Sequence, residues 1–187
     1  MPWDYSVYPD LTAGQTSVFQ KIGETLYMIQ LAEHAVQLCN CFIFNNNADY
    51  SLEQLEADTT ANRKRTLGLL LAEVRKYSEV HPQFDDMLRE FLEKRNFFIH
   101  HMFADSDFGL TTDRQLAQVD EYLRLLQDDA WNVQNVFLGC LRNWMKETGV
   151  YEHLPKFLQQ DKHLSQLDGK HFELLFRKKE DGRGNKK

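Results

Sequence analysis

This chain has little of what breaks up or cross-links a fold. It has 4 Pro and 9 Gly in 187 residues, which argues against a loop-rich or disordered chain. Three cysteines, Cys39, Cys41 and Cys140, are an odd and sparse set. They read as free thiols in a reducing compartment. No apolar run approaches the roughly 20 residues of a membrane span. The Met-Pro-Trp-Asp-Tyr-Ser start has no basic region followed by an apolar core, so no signal peptide is expected. The reading is cytoplasmic, with no membrane contact. Neither Glu-x-x-His nor His-x-x-x-His occurs, which removes the common di-iron and helical zinc spacings. Cys39-x-Cys41 would point its thiols about 160° apart on a helix. There is no Gly-rich phosphate loop and no serine nucleophile elbow. No metal and no cofactor is expected. Positive charge is short too: the net charge is −6. From Arg177 to Lys187 six Lys/Arg face two acids, which leaves the rest of the chain at −10.

What is present is helical pattern and apolar mass. Hydrophobic residues make up 42%, with 13 Phe, enough for one domain with a substantial core. An arm over 1–11 carries Trp3, Tyr5 and Tyr8. Thr12 is placed to cap a helix over about 14–43. There Val18, Ile22, Ile29, Ala32, Val36 and Ile43 share a face, with Leu26 and Cys39 at its margins. Glu33 interrupts that stripe, and Asn45–Asn47 would end the helix. A capping-box pattern at Ser51–Gln54 opens a short helix over 51–58. The Arg63-Lys64-Arg65 cluster reads as a solvated face.

A helix follows over about 66–77, its start open back to Ala61, with Leu67, Leu70, Leu71 and Val74 inward. Pro82 suits the first turn of a helix over 82–104. Thr112 or Asp113 caps a long helix over 113–147, stopped by Gly149. A short helix near 155–160 and an extended Phe172–Phe176 come last. The expected fold is all-α: a four-to-five-helix up-and-down bundle with two long helices and a short C-terminal extension. It forms a single domain over 1–176, with core helices over about 14–147, followed by a basic, disordered tail over 177–187.

One stretch breaks its own pattern. Leu88, Leu92, Arg95, Ile99 and Met102 fall on one helical face, so Arg95 sits where a leucine belongs. Asn96 and His100, four apart, share a flank. A charge on an apolar face is costly unless it is paired or reaches a wet cleft. A guanidinium can grip a phosphate and stabilise charge building on it. An imidazole can move protons near neutral pH. Together they hold the parts for cleaving a phosphodiester without metal, with a neighbouring 2′-hydroxyl as nucleophile. The plainer alternative is that Arg95 pairs with Glu33 and His100 is only a flank residue.

Arg95-Asn96-Phe97-Phe98-Ile99-His100 resembles the signature of the HEPN superfamily (higher eukaryotes and prokaryotes nucleotide-binding). That signature is an Arg, usually followed by a polar residue, then a His after four to six others, on a late helix of an all-α bundle. The resemblance is specific over Phe91–Phe103 and architectural elsewhere. It implies a metal-independent endoribonuclease that leaves a 2′,3′-cyclic phosphate. It implies that Arg95 contacts the scissile phosphate or orients the site, Asn96 shapes it by hydrogen bonding and His100 is the general acid or base. It also implies a homodimer with a composite site, RNA as substrate, and a toxin or defence role with an antitoxin or effector partner. His101 is a second candidate by spacing. Met102 stands where some family toxins carry a modified Tyr. A basic rim would have to come from Arg89, Lys94, Arg75, Lys76 or the tail. Some family members act only as binding modules, which is the alternative function. A third reading is a helical adaptor whose basic tail binds an acidic partner.

Overall fold

A computed structural model describes residues 11–44, 66–153, 156 and 175–178. The expected arm up to Asp10, the Asn45–Asn47 stop, the helix over 51–58, the Arg63–Arg65 cluster, nearly all of 155–160, Phe172–Leu174 of the expected extended stretch and the tail from 179 lie outside the described residues.

Helix α1 spans Ala13–Cys39 and continues as a π-helical turn over Asn40–Phe44. Its start is set as its sequence suggests. Thr12 accepts from the Gln15 backbone N–H, and the Gln15 side chain accepts from that of Thr12. This reciprocal cap satisfies two otherwise orphaned donors. Val18, Ile29, Ala32, Val36 and Cys39 are buried, whereas Leu26 is exposed. The π turn is fixed by tertiary bonds. Asn40 Nδ2 donates to the Leu70 carbonyl at 2.9 Å, and Cys39 Sγ donates to that of Phe137 at 3.0 Å.

Helix α2 spans Leu67–Tyr77, capped by Thr66, with Leu67, Leu70, Leu71 and Val74 buried. Strand β1, Ser78–Val80, follows directly and pairs antiparallel with β2, Phe176–Lys178. Ser78 lies opposite Lys178 and Val80 opposite Phe176. The basic stretch expected to start a tail at Arg177 therefore begins as strand. Three residues are too few to show an alternating pattern, so β1 left no signal in the sequence.

Helix α3 spans Pro82–His100, with Pro82 in its first turn. It stops four residues short of the expected 104. His101 leaves the helical path at φ −130°, and a 3-10 turn follows over Met102–Ala104. Helix α4 runs Asp113–Glu147 behind a Thr112 cap. Gly149, at φ +76°, takes the left-handed turn that ends it. A 3-10 turn over Val150–His153 follows.

The result is an all-α helical bundle, with a two-stranded ribbon among the described residues. Helix α3 runs antiparallel to α4: Phe84 packs on Phe137, Lys94 pairs with Asp129, and Phe97 packs on Tyr122. Helix α1 runs in the same direction as α4. Lys21 pairs with Asp120, Thr25 with Gln127, and Cys39 with the Phe137 carbonyl. Two parallel neighbours need a crossover between them, and α2 and α3 lie within it. No helix among the described residues is long and apolar enough to cross a membrane.

Gln115 ties the connection from α3 to α4, and Gln15 Nε2 of α1 donates to the Leu110 carbonyl within it at 2.9 Å. Gln115 Oε1 accepts from the hydroxyls of Thr111 and Thr112, and its Nε2 donates to the Ser106 carbonyl at 2.9 Å. A Cβ on Gly109 would stand 2.5 Å from that amide. Gly109→Ala is therefore expected to cost about 1 kcal/mol by displacing it. Gln115→Ala should cost a similar amount, and the double variant no more than Gln115→Ala alone. Urea unfolding of the three variants checks this; full additivity would separate Gly109 from the staple.

Candidate functional site

The buried face of α3 is Phe84, Leu88, Phe91 and Phe98, and buried Met102 of the following 3-10 turn extends it. By the 100° step its centre is rotated about 40° from the aliphatic face expected from sequence, because the phenylalanines take the core. Ile99 is left exposed and Leu92 half-buried. Arg95 still falls within about 20° of the centre. It sits in the core stripe by position, with its head group led outward.

That path is defined by two partners. Arg95 Nε donates to Glu33 Oε1 at 3.1 Å, across the seam between α3 and α1. Arg95 Nη1 donates to Asn96 Oδ1 at 3.1 Å. The Arg95 and Glu33 side chains are 20% and 26% exposed, so the pair is neither dry nor free in water. Nη2 makes no hydrogen bond among the described residues. The Glu33 pairing is the alternative weighed from sequence, and the contact forms.

His100 is exposed, as are Asn96 and His101. The rings of His100 and His101 lie 6.1 Å apart, edge to face. Arg95 and His100 are about 140° apart around α3. One chain therefore brings Arg95, Glu33 and Asn96 together and leaves the imidazole on the outer face.

The basic residues near the motif are engaged. Arg89 pairs with Asp86 at 2.7 Å, Arg75 with Asp85 at 2.7 Å, and Lys94 with Asp129 at 2.6 Å. Lys76 lies over the Tyr77 ring. Lys94 is further fixed by its carbonyl, which accepts from the Tyr122 hydroxyl at 2.8 Å. Burial, with a smaller contribution from Asp129, pushes that hydroxyl up to about 12, so Tyr122 stays a donor at neutral pH. Phe97, Phe108 and Tyr122 form a triangle of rings with centroids 5.3–5.4 Å apart. Sequence reasoning passed over Tyr122 and Asp129. They lie 28 and 35 residues from Lys94 in the chain, and nothing local marks them.

Among the described residues no cluster of three His, Cys, Asp or Glu side chains could hold a metal ion. Cys39 and Cys140 are poor nucleophiles. Burial raises Cys39 well above the usual thiol range and pushes Cys140 up to about 12.

Comparison of the chain with protein-family models, with curated proteins and with solved structures gives no match.

Proposed function

We propose that the chain is a metal-independent endoribonuclease of HEPN type that acts as a homodimer. The observation that carries this reading is the guanidinium of Arg95. It is held by Glu33 on one side and Asn96 on the other, Nη2 makes no hydrogen bond among the described residues, and an exposed imidazole, His100, follows five residues on. Glu33 and Asn96 fix the orientation of Arg95, so its Nη2 group can take a phosphate oxygen without further ordering. His100 takes the proton of a ribose 2′-hydroxyl. The 2′-oxygen bonds to phosphorus, the P–O5′ bond breaks, and a second imidazole returns a proton to the leaving 5′-oxygen. The products are a 2′,3′-cyclic phosphate and a 5′-hydroxyl. The divergence of Arg95 and His100 within one chain favours a composite site, with Arg95 of one copy working with His100 of the other. His101, the second candidate by spacing, is that second imidazole. A toxin or defence effector acting in the cytoplasm, restrained by a partner protein, is the matching biological role.

The test is RNA cleavage by purified protein in excess EDTA. Wild type is expected to cleave, and Arg95→Ala and His100→Ala to lose at least about 100-fold in rate while staying folded. Cleavage that survives in both variants would sink the assignment.

The engagement of Arg89, Arg75 and Lys94 by carboxylates favours a second reading, a non-catalytic HEPN-like nucleotide-binding or protein-interaction module. Phosphate contacts drive RNA affinity, and these cations are already paired. On this reading Arg95 and Glu33 close the α1–α3 seam, and no form of the protein cleaves RNA.

A further inference from the structure

A groove of about 450 Å³ lies along the outer face of α4, walled by Phe108 and Tyr122 and bounded by Leu125. Its helical side is Arg114, Ala117, Gln118 and Glu121, a spacing of i, i+3, i+4 and i+7 that keeps them on one stripe. Leu125 is 40% exposed. The wall is firmly built, because Gln115 holds the connection that carries Phe108 and the Phe108 ring packs on Phe97 and Tyr122.

The charges on this stripe are arranged in a particular way. Arg114 lies in the first turn of α4, where the helix dipole disfavours a cation. It makes no hydrogen bond or ion pair among the described residues. Glu121, two turns on, carries the opposite charge on the same stripe. Read in reverse, the stripe complements itself. In an antiparallel two-fold contact with the axis between Ala117 and Gln118, position 114 of one copy meets position 121 of the other. Position 125 then reaches the loop residues just before the other copy's α4. Ala117 at the axis permits close approach of the helices. Each Glu121 oxygen already accepts from Arg124, and each keeps a lone pair for a second donor. A stripe with one charge of each sign suits its own reversal better than a strongly acidic or basic partner.

We infer that this groove docks a second copy of the same chain, α4 against α4 in antiparallel. Arg114 of each copy pairs with Glu121 of the other, and Leu125 of each packs against Phe108 of the other. The contact rests on the proposed function only in taking the chain to be a homodimer, and it names the surface. Because α3 and α4 are antiparallel with Phe97 on Tyr122, the last turn of α3 stands near the height of Ala117 and Gln118. A two-fold there brings the His100 ends of both copies to the same level.

Sedimentation of the full chain tests this, with Arg114→Glu, Glu121→Arg and the double charge swap. Wild type is expected to be a dimer, and either single reversal to weaken it at least about tenfold by facing like charges. The double swap is expected to recover most of the loss. Gln118→Cys, beside the axis, should cross-link to a covalent dimer under mild oxidation, and Tyr27→Cys on exposed α1 should not. A monomeric wild type overturns the inference, as does a dimer that ignores both reversals and leaves Gln118→Cys uncross-linked. A dimer with the expected sensitivity that cleaves no RNA would count against the nuclease and leave this surface standing. Cleavage by a dimer indifferent to Arg114→Glu would do the reverse.

Discussion

Truncating Phe137 to alanine is expected to destabilise the chain by about 3–5 kcal/mol. Phe137 is fully buried on α4. Its ring lies 6.1 Å from Phe84 on α3 and 5.6 Å from Phe176 on β2. Phe84 and Phe176 also meet, edge to face, at 5.4 Å. One side chain thus joins the long helix, the motif helix and the ribbon. The backbone carbonyl of the same residue accepts the Cys39 thiol, so a shift here reaches α1. The cavity cannot collapse from one side, because three elements from distant parts of the chain line it. At roughly 2–4 °C per kcal/mol for a chain of this size, the melting temperature should fall by about 10 °C. A loss under 1 kcal/mol in urea unfolding would show that the three rings do not form one packing unit.

The second large effect concerns Glu33 and Arg95. Glu33→Ala alone is expected to cost about 1–3 kcal/mol, since it leaves the partly buried Arg95 side chain without its carboxylate. Glu33→Leu with Arg95→Leu is expected to restore that loss or exceed it by about 1–2 kcal/mol, because leucine completes the stripe of Phe84, Leu88, Phe91, Phe98 and Met102. The same double variant should have no RNA cleavage. Stability unchanged or raised, with activity gone, would mean that the charge on the apolar face serves chemistry rather than folding. Thermal unfolding and the cleavage assay on one preparation read both. A double variant that fails to fold would place the pair among the supports of the bundle.

The helices were legible because their boundaries are local. Thr12 and Thr112 cap as their side chains suggest, Pro82 opens α3, and Gly149 closes α4, whereas the start of α2 at Thr66 was left open. The Arg95–Glu33 contact was legible for a similar reason: each charge broke an apolar stripe, and two such breaks can answer one another. Rotation of the α3 face was not legible, because aliphatic and aromatic residues compete for the core and sequence alone does not rank them. Nor was the end of α3 at His100, since 101–104 keeps apolar residues while the backbone turns. The β1–β2 pairing joins residues 78–80 to 176–178, and such distant pairing has no local signature. The direction of α1 relative to α4 depends on a crossover, which periodicity does not report. The groove on α4 escaped for another reason. Arg114, Ala117, Gln118 and Glu121 read as an ordinary solvated face until Phe108 and Tyr122 are seen to wall it.

The most direct test of the composite site mixes two inactive chains. Arg95→Ala and His100→Ala are each prepared alone, then mixed at equal amounts and allowed to exchange subunits. If Arg95 of one copy works with His100 of the other, each mixed dimer holds one intact site. The mixture should then regain about a quarter of wild-type cleavage in EDTA, given random pairing of the two chains. No recovery from a mixture shown to contain mixed dimers, with wild type active beside it, would contradict a site shared between two copies.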